Sequence, residues 1–168
     1  MDLYEAIYNR RSIRKFKSDP IPKDVIKRIL DAANWAPSGE NMQMWRFVVI
    51  TGDKYAKVMG SKICNAPVVI IAYCKFNKTF KKMNIESVSA AIQNLLLAAH
   101  AEGLGACWMM MPILNKNKII KGFELPEDSD LIAGIPLGIP DGKGNAIKFK
   151  RKDPDMAKIV KWIGFEEN

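Results

Sequence analysis

The sequence predicts an α+β layer fold instead of a doubly wound one. Three observations carry that reading. The elements run as helices, strand, strand, long helix, strand, strand, which is not a regular βα alternation. The run Ala66 to Cys74 (APVVIIAYC) is apolar and of strand length. The stretch Glu86 to Glu102 is apolar around so much of its helical circumference that it has to lie at the centre of the core. A chain of 168 residues fits one domain spanning 1–168. Such a chain can bury about 70% of its unfolded surface.

Each element follows from local pattern. Between Asp2 and Asn9, Leu3, Ala6 and Ile7 share a helical face, with Asp2 placed to cap it. Pro22 suits a first helical turn, and Val25, Ile26, Ile29, Leu30 and Ala33 then recur at helical spacing until the chain nears Pro37. Trp45 to Thr51 is β-branched and aromatic, hence a strand. Lys54 to Met59 reads as a short helix, and Lys75 to Asn84 as a basic, irregular, exposed connection. In the central helix Val88, Ala91, Ile92, Leu95, Leu96 and Ala99 form a stripe that Leu97 widens, and Gly103 ends it. Ala106 to Met111 reads as a strand, Asn115 to Gly122 as a helix and Leu131 to Gly138 as a strand. A Gly/Pro loop, a basic run and a short helix over Asp155 to Trp162 complete the chain.

Composition narrows the function. A hydrophobic content of 48% with 26% charged residues fits a soluble globular protein and argues against disorder. One histidine and three cysteines without a C-x-x-C pair argue against a structural zinc cluster and a disulfide framework, and suit a reducing compartment. The charged N-terminal stretch does not read as a signal peptide, and the longest apolar run is too short to span a bilayer. The expected address is therefore cytoplasmic, and the sequon Asn77-Lys78-Thr79 carries little weight there. Lys plus Arg number 26 against 18 Asp plus Glu, a net +8 that favours an anionic partner: nucleic acid, a membrane surface or a phosphate-bearing cofactor.

Several motifs fail on inspection. Gly103-Leu104-Gly105 begins like a dinucleotide fingerprint, but Trp108 stands where the third glycine belongs and a helix precedes it. Gly138 to Gly144 lacks the spacing and the Ser or Thr of a P-loop. A nucleophilic triad would need His100, which sits inside the central helix and reads as a satisfied structural histidine. Cys107 reads as strand packing. Most aromatics lie in apolar runs, which counts against a nucleic-acid surface.

Three segments survive. Arg10-Arg11-Ser12-Ile13-Arg14 gathers three guanidiniums and a hydroxyl, suited to bidentate binding of phosphate and carbonyl oxygen. The loop from Ala36 to Phe47 offers Ser38, Asn41 and Gln43 as neutral donors and acceptors for the edge of a planar heterocycle. The run Lys148 to Lys152 could close on a phosphate from another side.

In order and spacing these segments resemble the nitroreductase family of FMN-dependent oxidoreductases, over almost the whole chain. The matching residues are R-R-S-I-R at Arg10 to Arg14, A-P-S-x-x-N-x-Q at Ala36 to Gln43 followed by W-R-F, the stretch Ala90 to Trp108, and Gly138-Ile139-Pro140 with the basic tail to Lys152. The resemblance implies a mostly antiparallel central sheet flanked by helices, in an intertwined homodimer with FMN at the subunit interface. It places Arg10, Arg11, Ser12 and Arg14 on flavin and phosphate. It places Pro37, Ser38, Asn41 and Gln43 on the flavin of the other subunit. Trp108, Met109 and Met110 would pass the isoalloxazine ring, and Lys148, Lys150 and Arg151 would help hold the phosphate.

The activity implied is ping-pong transfer of a hydride from NADH or NADPH, through flavin N5, to an acceptor such as a nitroaromatic or a quinone. No histidine base is needed, no metal is implied, and Arg10 would tune the flavin. Met44 stands where the family usually has proline, and Lys75 to Asn84 is brief where longer members carry extra helical structure, which implies a more open pocket. A flavin-binding storage or sensor protein with little turnover, and a basic nucleic-acid-binding module, are the competing readings.

Overall fold

The computed structural model describes residues 1–59, 64–111, 115–142 and 155–164. In chain order these form α1 (Leu3–Asn9), α2 (Lys23–Asn34), a 3-10 turn (Gly39–Asn41), β1 (Arg46–Thr51), α3 (Lys54–Met59), β2 (Val68–Lys75), α4 (Lys81–Ala101), β3 (Gly105–Ala106), β4 (Met109–Met110), α5 (Lys116–Gly122), β5 (Ser129–Gly138) and α6 (Met156–Ile159). The strands make one sheet in the order β1-β2-β5-β3, with β4 also on β5. Every ladder between these strands is antiparallel. The expected α+β architecture is the one observed.

Strand alternation divides the apolar residues between two faces. Val68, Ile70, Ala72 and Cys74 of β2 pack with Ile29 and Ala33 of α2 and with Val88, Ala91, Ile92, Leu95 and Ala99 of α4. Val69 and Ile71 point the other way, into a second cluster with Tyr55 of α3 and Ile119 and Ile120 of α5. The stripe read on the central helix is buried throughout, and Leu97 is half-buried.

Four details depart from the sequence reading. First, α4 begins at Lys81, so the end of the supposed irregular connection is helix. Asn77 Oδ1 accepts the N–H groups of Thr79 (3.0 Å) and Phe80 (3.2 Å) and turns the chain into the helix. The first turn is lysine-rich because its outer side meets water, and a Lys82–Glu86 pair at 3.8 Å spans one turn.

Second, the strand expected over 106–111 is interrupted. Gly105, Ala106, Met109 and Met110 face Gly138, Leu137, Gly134 and Ala133 in a single unbroken register. That register puts Cys107 opposite Pro136. The Cys107 N–H donates to Pro136 O at 3.4 Å, but proline has no N–H for the reciprocal bond. Third, β5 starts at Ser129, because Ser129 and Asp130 pair with Lys75 and Cys74 although they break the apolar pattern. Fourth, the last helix is only Met156–Ile159, since Val160 is already extended.

The C-terminus of α4 closes as expected. Gly103 takes φ +75°, Leu104 N–H reaches Ala99 O at 2.8 Å, and Gly103 N–H reaches His100 O at 3.0 Å, a Schellman motif. His100 lies in the last turn and is half-buried, yet its Nε2 is buried without a hydrogen-bond partner among the described residues. The satisfied histidine expected from sequence is therefore not what is observed. Among the described residues no helix is long and apolar enough to cross a membrane.

Candidate functional site

The arginine segment is an extended edge laid along the sheet. Ser12 bridges Ala106 in parallel, and Ile13 N–H donates to Ala106 O at 3.0 Å. Phe16 bridges Pro140, Lys17 N–H donates to Ile139 O at 2.9 Å, and Asp141 N–H donates to Lys15 O at 3.0 Å. Two glycines permit this close approach. A Cβ on Gly105 would stand 2.7 Å from Ile13 Cβ, and one on Gly138 would stand 2.9 Å from both Phe16 and Pro67.

With Ile13 half-buried and Phe16 buried, Ser12 and Arg14 are left exposed. Arg10 and Arg11 are half-buried. Arg11 Nη1 donates to Tyr8 O (2.5 Å) and Arg10 O (2.9 Å), at the negative end of α1. Along the same edge stand Trp108, 38% exposed, Met109, half-buried, and Met110, 87% exposed.

The loop after α2 is built differently. Glu40, Asn41 and Gln43 all adopt left-handed backbone, with φ of 50°, 53° and 47°. Side chains hold that shape. Ser38 Oγ accepts Gln43 N–H at 3.0 Å, and Ser87 Oγ accepts Gly39 N–H at 3.2 Å while donating to Met83 O at 2.8 Å. Trp45 is buried and its Nε1 donates to Asn34 Oδ1 at 3.0 Å; Arg46 Nη1 donates to Gln43 O and Trp45 O. Met44, the position where proline was expected, is half-buried against the α2/α4 core. Pro37, Asn41 and Gln43 are exposed and Ser38 is half-buried. Beside the loop opens a cavity of about 750 Å³, lined by Lys27, Asp31, Asn34, Gln43, Trp45 and Arg46 among others.

These two clusters do not meet within one chain. The loop is pinned at Ser87, whereas the arginine edge bridges Ala106, beside the other end of α4 at Ala101. Fourteen helical residues separate those points, about 21 Å at 1.5 Å per residue. The sheet agrees: Arg46 lies opposite Tyr73 and hence Leu131, while Gly105 lies opposite Gly138. Lys148, Lys150 and Arg151 lie outside the described residues.

The sequence model of the Nitroreductase family matches residues 7–62 and 53–139. The chain belongs to the nitroreductase family. It is 37% identical, over 96% of its length and 88% of the relative's, to a protein of Methanothermobacter thermautotrophicus named "Putative NADH dehydrogenase/NAD(P)H nitroreductase". Among solved structures it is similar to a nitroreductase family protein from Clostridium novyi NT, with TM-score 0.75, 29% identity, and coverage of 86% of this chain and 88% of that one. Its fold also matches a point mutant of an FMN and NADPH-dependent nitroreductase, NfnB, from Sphigopyxis sp. strain HMH, with TM-score 0.88, 19% identity, and coverage of 98% and 100%.

Sequence reasoning missed the residues that position the motifs of this member of the nitroreductase family. Ser87 reads as one polar interruption of a helix, and Asn34 as an ordinary helix end. Neither carries a local signal, because each acts on a residue distant in the chain. Gly105 did carry one: a glycine opening an apolar strand marks a close backbone approach.

Proposed function

We propose that this member of the nitroreductase family is an FMN-dependent NAD(P)H oxidoreductase that works as a homodimer. The observation that carries the reading is the arginine edge. It sets guanidiniums and a hydroxyl beside Trp108 and Met110, large side chains left exposed where an apolar core would hide them. That donor set fits FMN: an anionic phosphate and a polar ring edge for the cations and Ser12, and an apolar ring face for Trp108 and Met110. When bound, FMN supplies hydride relay between NADH or NADPH and an acceptor such as a nitroaromatic or a quinone.

The chain's own residues bind, orient and polarise. Arg14 and Ser12 supply charge-assisted and neutral hydrogen bonds, while Arg10 fixes positive charge where negative charge develops on the bound group. Arg11, committed to the α1 terminus, stiffens the edge. Lys148, Lys150 and Arg151 are proposed to complete the phosphate contacts. Trp108 and Met110 exclude water from one side, and Met109, which leaves the other face of the strand, backs them. Pro37, Ser38, Asn41 and Gln43 are proposed to come from a second copy, since the separation of the clusters along α4 supports two chains contributing to each site.

The protein should purify yellow, release FMN on denaturation, migrate as a dimer, and oxidise NADH or NADPH with menadione as acceptor. A colourless protein that takes up no added FMN would overturn the proposal. Flavin binding without turnover would leave only the storage reading.

A further inference from the structure

We propose that Cys64, Cys107 and Met109 form a binding site for a soft monovalent metal ion, Cu(I), on the sheet face opposite α4. Cys64 Sγ and Met109 Sδ stand 3.7 Å apart, although the residues are 45 positions apart in sequence. In a trigonal all-sulfur site with metal–sulfur bonds of about 2.3 Å, the sulfurs lie about 4 Å from one another. The observed pair therefore already has the edge length of such a triangle.

Cys107 supplies the third corner. It lies two residues before Met109 in one strand register, so both side chains leave the same face of the sheet. Met111, two residues further on, packs into the α3/α5 cluster and identifies that face. Opposite Met109 the register places Gly134, which leaves space where another residue would project a side chain. Among the described residues no three His, Cys, Asp or Glu cluster; the third donor here is a thioether.

The chemistry of the set is selective. Thiolate and thioether are soft donors that favour Cu(I) over hard ions. Cys107 is buried, and Cys64 and Met109 are half-buried, so the site is enclosed but reachable. Burial pushes the Cys64 thiol up, Cys107 adds to the rise, and the Arg14 guanidinium opposes it. Binding of the metal would release the thiol protons to solvent. The product, one Cu(I) with two thiolates and a thioether, carries a net charge of −1 beside Arg14. Cys64 and Asn65 are both left-handed, with φ of 54° and 53°, and so present the thiol from a strained turn. The inference does not depend on flavin binding.

Anaerobic titration of the full chain with Cu(I), in competition with bicinchoninate, tests it. The expected result is one Cu(I) per chain held against the chelator. Met109→Leu, a volume-conserving change, should weaken binding at least tenfold, and Cys64→Ala should abolish it. Cys74→Ala should change nothing, because Cys74 packs on the α4 face. X-ray absorption should show three sulfur neighbours. No retained Cu(I), binding that is indifferent to Met109→Leu, or equal loss in Cys74→Ala would each overturn the site. Cys107→Ala risks the fold, so Met109→Leu is the deciding variant.

Discussion

The arginine edge and the Ser38–Gln43 loop hold functional side chains by opposite means. The edge is fixed by backbone bonds to Ala106, Ile139 and Asp141 and by glycines that let it approach. Among its side chains, Arg11 adds two bonds at the end of α1. The loop is fixed by side chains: Ser38 on Gln43, Ser87 on Gly39 and Asn34 on Trp45. Side-chain mutation should therefore cost the fold less at the edge than in the loop, where binding and folding share the same side chains.

The largest expected effect attacks the backbone fit itself. Gly105→Val drives branched carbons into Ile13, which a Cβ alone would already meet at 2.7 Å. Overpacking of this kind costs about 3 kcal/mol at its upper end, and the displaced edge should no longer bind FMN. Adding Ile13→Ala should recover part of both losses in thermal melts and flavin titrations. If Gly105→Val binds FMN like the parent, the edge is not held as described.

Next comes the direct test of that difference. Arg14→Ala should weaken FMN by about 1.5–3 kcal/mol, the range for a hydrogen bond to a charged group, and less at high salt. The melting temperature of the flavin-free protein should fall less than it does in Ser38→Ala. Ser38→Ala should lower the stability of the flavin-free protein by about 1 kcal/mol and weaken FMN as well, because Gln43 N–H loses its acceptor. If Ser38→Ala is neutral in the melt, the contrast between the two regions fails.

A smaller effect of opposite sign belongs to the loop. Gln43 holds φ 47° without being glycine, a conformation that costs about 1 kcal/mol or more. Gln43→Gly should therefore raise the melting temperature of the flavin-free protein. A simultaneous loss of FMN affinity would show that the strained position is kept for its amide.

The same contrast explains what could be read from sequence. The central helix was legible because its stripe repeats locally, and the two motifs were legible because they are contiguous. The start of α4 was not, since Asn77 acts through a side-chain turn and the lysines beyond it face water. The break between β3 and β4 was hidden because its cause, Pro136, sits on another strand. The left-handed run at Glu40, Asn41 and Gln43 contains no glycine to announce it. The Cys64–Met109 contact joins segments that nothing in the sequence links. Patterns repeated along the chain survive in sequence; partnerships across it do not.

The smallest effect distinguishes the two ends of α4 by pH. At the end near the arginine edge, Arg28 of α2 donates to Glu102 through Nε (2.8 Å) and Nη2 (2.9 Å), and to Asp24 through Nη1 (2.9 Å). The Arg28 hydrogen bonds hold Glu102 below its ordinary 4.5 and Asp24 below its ordinary 3.8. A carboxylate depressed in the folded state adds stability that is complete above its unfolded pKa and is lost as pH falls through the folded value. The pair should therefore matter fully at pH 7 and fade below about 4.5. All three side chains are exposed enough for salt to weaken the effect. At the other end, Ser87, Asn34 and Trp45 are neutral, so that end gains no acid sensitivity from its anchors. Arg28→Ala should lower the melting temperature slightly at pH 7, with the difference from the parent shrinking as the pH is taken below 4.5 or the salt is raised. A difference that grows on acidification would mean that another group, not this pair, dominates the acid limb at that end of the helix.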